Sequence, residues 1–269
     1  MTPHWFLGLL LGGVVTGAFG ALLGLGGGVF LIPFLVLVLG LPMHQAIATS
    51  IVAVIATSSA GAAVNLERRA VNMRLGMLLE IATVLGAIAG GLTANYLDGG
   101  LLRKLFGVLL LIVAALMIRR ARSGSVIIHK DGILPGTFRD QASGEEVTYT
   151  VKRLPGVVGV SFVAGNVSGL LGIGGGIFKV PAMTMLAGIP MKAATATSNF
   201  MIGVTAAASA FIYFANGHIS PFVASTAALG VLGGSLLGVR LGQKIHSRAL
   251  TWIFALVMLF MAVELLLRT

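Results

Sequence analysis

The sequence predicts an all-α polytopic membrane protein: two inverted-topology repeats with Gly-broken or re-entrant helices, and a small β-hairpin-like extramembrane insert between them. Three observations predict it: a composition that suits lipid, ten apolar stretches near spanning length, and a gapless match of the chain to itself. Of 269 residues, 57% are hydrophobic and only 10% charged, where a soluble domain carries about 25% charged residues. Such a chain has too little polar surface to cover itself in water, and the bilayer is the solvent that suits it. The 38 Gly fit close helix approach in lipid. The absence of Cys excludes disulfides, thiolate metal sites and Cys nucleophiles.

Apolar stretches run over 5–23, 29–40, 45–65, 73–96, 101–118, 155–171, 177–188, 193–214, 222–243 and 249–267. Most suffice to cross ~30 Å of hydrocarbon at ~1.5 Å per residue. Those at 29–40 and 177–188 are too short to cross comfortably alone, and each follows a triple glycine. The segment Met1–Leu11 lacks the positive region of a signal peptide and reads as the start of a mature first helix. This gives three parts: 1–118 as the first transmembrane repeat, 119–154 as a cytoplasmic insert or linker, and 155–269 as the second repeat. The insert holds Arg119, Arg120, Arg122, Lys130, Arg139, Lys152 and Arg153. Val126-Ile127-Ile128 and Val147–Val151 read as short strands around turns at Asp131-Gly132 and Pro135-Gly136; a solvated linker is the alternative.

The self-match has a shift of 148 residues. Gly24-Leu25-Gly26-Gly27-Gly28-Val29-Phe30 falls on Gly172-Ile173-Gly174-Gly175-Gly176-Ile177-Phe178, Pro33 on Pro181, Gly40-Leu41-Pro42-Met43 on Gly188-Ile189-Pro190-Met191, and Ala48-Thr49-Ser50 on Ala196-Thr197-Ser198. Over 24–50 against 172–198, 13 of 27 positions are identical. Apolar composition alone does not set Gly, Pro, Thr and Ser in step. Downstream, Ala82, Gly86, Gly90 and Ala94 align with Gly230, Gly234, Gly238 and Gly242, a small residue at every fourth position along one helix face. That spacing predicts tight helix contact.

The net charge of +10 does not point to nucleic acid, because the basic residues lie between apolar segments, where they set orientation. If the halves run parallel, 11 Lys/Arg lie on the insert side and 6 opposite. If the halves are inverted, the insert side holds 14 (Arg68, Arg69, Arg74, the insert's seven, Lys192, Arg240, Lys244 and Arg248) against 3 (Arg103, Lys104 and Arg268). The positive-inside rule prefers the inverted arrangement, with ten crossings or with six and two re-entrant hairpins.

Paired, short, Gly/Pro-interrupted segments in inverted repeats point to the core of a transporter. A glycine break frees backbone N–H groups in low dielectric, and the next helix presents its positive end to an anion. The candidate substrate-binding residues are Gly26, Gly27, Gly28, Gly174, Gly175 and Gly176, with Thr49, Ser50, Thr197, Ser198 and Asn199 opening the following helices. The hydroxyls have an alternative use in capping or back-bonding their own helices. Thr57 and Thr205, repeat partners one to two turns deeper, are weaker candidates. Lys179 stands where the first half has Leu31; an ammonium there is costly unless paired, snorkelled or facing a cavity. It is a candidate both for holding an anion and for carrying a proton. Glu80 is a second candidate for proton coupling, or pairs structurally with a basic loop residue. Catalytic, metal-binding and ATP-binding motifs are lacking, so an enzyme and a resident cofactor are not expected. Expected partners are a small anionic substrate and membrane lipid; a homo-oligomer is left open.

Gly-Leu-Gly-Gly-Gly-x-Phe-x-x-Pro at 24–33 and Gly-Ile-Gly-Gly-Gly-x-Phe-x-x-Pro at 172–181, each followed by a Leu/Ile-Pro turn and an Ala-Thr-Ser helix start, resemble the sulfite exporter TauE/SafE family. The resemblance covers both halves and omits the insert. It implies a bacterial-type plasma membrane permease for small sulfur-containing anions such as sulfite, sulfoacetate and other sulfonates, with export the usual suggestion. A secondary transporter working by alternating access, coupled to a proton or Na+ gradient, is the reading favoured. A passive anion channel and a transporter of an unrelated small solute are the alternatives.

Overall fold

The computed structural model describes residues 3–23, 27–122, 133–139, 146–242 and 247–267. The first half holds α1 (Pro3–Leu23), α2 (Gly28–Pro33), α3 (Met43–Glu67), α4 (Met73–Tyr96) and α5 (Gly99–Arg122). Strands β1 (Ile133–Arg139) and β2 (Glu146–Val151) follow. The second half holds α6 (Leu154–Leu171), α7 (Gly176–Pro181), α8 (Met191–Ala215), α9 (Pro221–Gly242) and α10 (Ser247–Leu267). Helices α7 to α10 begin 148 residues after α2 to α5, so the sequence repeat is also a repeat of structure.

Local chemistry accounts for the short helices. Gly27, Gly172, Gly174 and Gly175 have φ between 68 and 77°, a region side chains disfavour and glycine adopts freely. The chain therefore breaks before α2 and α7. Pro33 and Pro181 have no N–H to continue an α-helical ladder, and the next five residues, Phe34–Val38 and Ala182–Leu186, wind as π-helix. Pro42 and Pro190 then lead into α3 and α8. Each short unit, 28–38 or 176–186, rises ~16 Å, about half of a ~30 Å hydrocarbon core. Helices α3, α4, α5, α6, α8 and α9 are long and apolar enough to cross a membrane, and shorter apolar helical stretches cover 5–21, 28–38, 176–186 and 254–267. Ile81, Phe211, Leu229 and Phe260, each at least 66% exposed, give the body an outer surface that suits lipid.

The halves exchange neighbours. Helix α1 packs on α9, and α6 packs on α4. A Cβ added at Gly86 or Gly90 would overlap the carbonyl of Phe162 or Asn166, and one at Gly234 or Gly238 would overlap that of Val14 or Ala18. The small-residue stripes thus lie in tight contacts, met from the other side by Gly165, Gly169, Gly13 and Gly17. Contact positions rise together along both members, so each pair runs parallel. The repeat partners α3 and α8 differ. They meet at Gly203 against Ser58, 3.0 Å from the glycine's Cβ position, and at Gly61 against Asn199, 3.7 Å. One set of numbers rises as the other falls, so these two helices run antiparallel.

The hairpin pairs Gly136 with Tyr149 and Phe138 with Val147, with an irregularity between Ile133 and Gly136. The expected strand at 147–151 is present. The strand expected at 126–128 and the turn at Asp131-Gly132 lie outside the described residues. Pro135-Gly136, expected as a turn, lies within β1, where the register irregularity accommodates a residue without an N–H. Phe138, Tyr149 and Val151 are buried against Leu75, Leu79, Val157 and Met183. The hairpin is therefore docked on the helical body, which a solvated linker would not be. Lys152 N–H donates to the Ala187 carbonyl (3.1 Å), placing the end of the hairpin beside the short unit of the second half.

Candidate functional site

The two glycine breaks meet near the middle of α3 and α8. A Cβ at Gly28 would lie 2.7 Å from Ser50 Oγ, 2.9 Å from Val54 Cγ2 and 3.0 Å from the Gly172 carbonyl oxygen. One at Gly176 would lie 2.9 Å from Ile202 Cδ1 and 3.3 Å from Ser198 Oγ. Ser50 and Ser198, like Val54 and Ile202, are repeat partners, so the same side chains face the start of each short helix. Ser50 Oγ donates to the Gly172 carbonyl (2.9 Å), fastening α3 of one half to the break of the other. Ser198 Oγ is buried and has no hydrogen-bond partner. The first N–H groups of a helix have no acceptor within it; in α7 those of Phe178 and Lys179 close back on the Gly175 carbonyl (3.2 Å each), which leaves those of Gly176 and Ile177 as backbone donors near the unpaired hydroxyl. Gly27, Gly28, Gly174, Gly175, Gly176, Ser50 and Ser198 are thus brought together; Gly26 lies outside the described residues.

The other helix-start residues are used differently. Thr197 Oγ1 accepts the Asn72 N–H (3.0 Å) and faces α4. Asn199 is half-buried and faces Gly61. Thr49 is buried in α3.

Lys179 is fully buried and does not snorkel. A lysine at the centre of a membrane helix costs about 2.5–3.5 kcal/mol on insertion scales, and a hydrogen-bonded chain compensates here. Lys179 Nζ donates to Thr205 Oγ1 (3.0 Å). Thr205 Oγ1 lies 2.8 Å from Glu80 Oε1, to which it donates. Thr83 Oγ1 donates to Glu80 Oε2 (3.0 Å). Glu80 therefore reaches the Lys179 ammonium across one threonine, and not a basic loop residue. The Lys179 stem also passes the second break, its Cε 3.3 Å from a Cβ position at Gly175. The repeat counterparts of Lys179, Thr205, Glu80 and Thr83 are Leu31, Thr57, Ala228 and Val231, so the charge pair, Glu80 from the first half and Lys179 from the second, has no pseudo-symmetric copy. The sequence signal for Thr83 was its place one turn after Glu80; for Thr205, its register with Thr57.

Two histidines lie at the opposite end of the helices from the hairpin. The rings of His44 and His218 stack with centroids 4.9 Å apart. The His44 ring nitrogen Nε2 is 3.1 Å from the Ala94 carbonyl, and Asn95 Nδ2 donates to Asn216 Oδ1 (2.8 Å). Burial, and then the neighbouring His44, hold the His218 pKa below its ordinary value. Among the described residues no group of three His, Asp or Glu side chains converges as a metal site.

Comparison with known proteins gives the arrangement a context. The sequence profile of the sulfite exporter TauE/SafE family matches residues 9–265. The probable membrane transporter protein YunE of Bacillus subtilis is 27% identical over 97% of each chain. A probable membrane transporter protein of Methanocaldococcus jannaschii is 29% identical over 90% of this chain and 88% of its own. Another from Xylella fastidiosa (strain 9a5c) is 29% identical over 96% of this chain and 93% of its own. No solved structure matches.

Proposed function

This chain belongs to the sulfite exporter TauE/SafE family of multi-pass membrane transporters, and from that premise we propose that it is a secondary transporter of small sulfur-containing anions in the plasma membrane. The observation that carries the reading is the meeting of the two glycine breaks, with Ser50 engaged across the pseudo-symmetric contact and Ser198 left unpaired. An oxoanion brings the acceptors that Ser198 Oγ and the N–H groups of Gly176 and Ile177 lack. Donors fixed before the ligand arrives suit sulfite or a sulfonate head.

Antiparallel packing of α3 on α8, together with the charge asymmetry between the two faces, supports inverted repeats. In such a scaffold alternating access is a rocking of one repeat element against the rest, around a site near the midplane. The breaks are closely packed in this conformation, so the anion enters as α2 or α7 moves from its partner helix. Lys179 supplies the coupling. With Glu80 ionised, the pair is neutral and the empty carrier reorients without moving net charge. When an anion engages the ammonium beside Gly175, a proton on Glu80 keeps the loaded site neutral. The step is a neutral symport of anion and proton, so outward movement, the direction in the family's name, requires an outward anion gradient that exceeds any inward proton gradient.

The test is flux in proteoliposomes with labelled sulfite, sulfoacetate and sulfate, with and without a pH gradient. Saturable flux of a sulfur oxoanion that responds to the pH gradient is expected, falling at least about tenfold in Lys179→Ala and Gly175→Leu. Flux proportional to concentration would make the protein a channel, and unchanged flux in both variants would place the site elsewhere.

A further inference from the structure

On the insert-side face, the α3–α4 turn and strand β1 line an open pocket of ≈ 360 Å³. Among the described residues its polar lining consists of Arg69, Asn72, Arg74, Thr137 and the backbone of Gly136, with no carboxylate. Neither arginine forms an ion pair among the described residues. Asn72 fixes the chemistry. Its Oδ1 accepts the Leu75 N–H (3.1 Å) and caps α4, so the amide orientation is set by a backbone donor. Its Nδ2 is therefore a donor with two hydrogens; it is buried beside the Tyr149 hydroxyl and makes no hydrogen bond of good geometry. A glycine at 136 leaves it room, since a Cβ there would come within 2.6 Å of Nδ2. Two guanidinium groups and an amide that keeps at least one N–H free of the Tyr149 hydroxyl offer only donors, so the complement is a group made of acceptors with negative charge.

The repeat adds an independent argument. The counterparts of Arg69, Asn72 and Arg74 are Gly217, Ser220 and Phe222. Arg69 and Gly217 share a left-handed backbone, with φ 50 and 70°. The fold is served at that corner by glycine, the residue suited to it, and the cationic version occurs only on the face with the hairpin. The pocket is also wired inward. The Asn72 N–H is bonded to Thr197 Oγ1, and Thr197 is the neighbour of the unpaired Ser198.

We propose that Arg69, Arg74 and Asn72 form an oxoanion-binding vestibule at the insert-side mouth. Its place on the substrate path rests on the transport reading above; the binding itself does not. A free sulfur oxoanion and the phosphodiester of an anionic lipid share the required chemistry.

The experiment uses the full chain in nanodiscs, reading the thermal midpoint. One arm titrates sulfate into phosphatidylcholine discs. The other replaces part of that lipid with phosphatidylglycerol, without sulfate. The comparison is between wild type, the double variant Arg69→Gln/Arg74→Gln, Asn72→Asp and the control Arg68→Gln. Asn72→Asp keeps the helix cap and replaces the amide donor with an oxygen, so it separates binding from folding. A saturable rise in midpoint is expected in wild type and Arg68→Gln, with apparent affinity about tenfold weaker or more in the other two. Its appearance in the sulfate arm assigns the site to soluble oxoanions, and in the lipid arm to headgroups. Equal responses in wild type and the double variant, or no response in either arm, would overturn the proposal. Sulfite flux measured alongside reads the path: a raised KM at unchanged kcat in the double variant places the vestibule on it. Absence of flux with binding intact would overturn the transport reading and leave the site standing.

Discussion

Replacing Thr205 with valine removes one hydroxyl and little else, and the structure sets the size of the effect. Thr205 Oγ1 receives the Lys179 ammonium at 3.0 Å and faces Glu80 Oε1 at 2.8 Å. Both charges are thereby held within about 6 Å of one another, where a low-dielectric interior makes their attraction strong. Hydrogen bonds to charged groups contribute about 1.5–3 kcal/mol each. Losing two of them, with part recovered as Lys179 swings toward Glu80, gives an expected net loss of ~2–4 kcal/mol. Thr57→Val is the matched control. Thr57 is the repeat partner of Thr205, but its Oγ1 lies only against carbonyls of its own helix, Ala53 (3.1 Å) and Val54 (3.2 Å), so its loss costs at most ~1 kcal/mol. Reversible unfolding in mixed micelles measures both, and a double-mutant cycle with Lys179→Met isolates the coupling. Because the bridge links the two charges, the cycle should be non-additive by at least about 1 kcal/mol. A Thr205→Val variant as stable as Thr57→Val, with an additive cycle, would refute the bridge.

The glycine contacts make a second expectation. Gly90→Ala presses a methyl onto the Asn166 carbonyl and should cost ~1–3 kcal/mol, whereas Gly8→Ala, with nothing within 4 Å, should leave the melting midpoint unchanged. Ser50→Ala loses the bond to Gly172 and should destabilise by about 0.5–1.5 kcal/mol. Ser198→Ala breaks no bond, so it should retain stability while losing flux; a variant with full flux would remove Ser198 from the site. The depressed pKa of His218 means that the fold favours the neutral ring. Its contribution to stability is present above the ordinary histidine pKa of about 6.5 and is lost as pH falls from there toward the folded value. Melting measured from pH 8 to 5 should show that loss, and His218→Gln should reduce it. His44, Asn95 and Tyr213 are the groups that face the ring.

Much of the fold was legible because glycine and proline act locally. Three consecutive glycines must interrupt a helix, and a proline five residues on perturbs the next turn, whatever the partner. The stripes at Gly86–Gly90 and Gly234–Gly238 announced close contacts for the same reason. Their partners did not emerge from the sequence: α1 pairs with α9 and α4 with α6, an exchange across halves that no local spacing encodes. The site divided in the same way. The glycine breaks, Ser50, Ser198 and Lys179 could be named from the repeat and from the cost of a buried charge. The groups that Lys179 reaches could not, since Glu80 and Thr205 lie 99 residues behind and 26 ahead of it, and only packing joins them. Asn72 escaped notice because a helix cap and an unpaired donor look alike in sequence. Pro135-Gly136 misled because a turn dipeptide was accommodated as an irregularity within a strand.

A chain without cysteine offers a clean background for placing each half. Single cysteines at Arg68, in the α3–α4 turn, and at Gly217, its near-counterpart after α8, should be challenged with a membrane-impermeant thiol reagent in intact and opened cells. Opposed halves require that Gly217→Cys react in intact cells and Arg68→Cys only once the cells are opened. Labelling of both from the same face would mean that the halves point the same way, and the meeting of two oppositely directed glycine breaks inside the bilayer would be wrong.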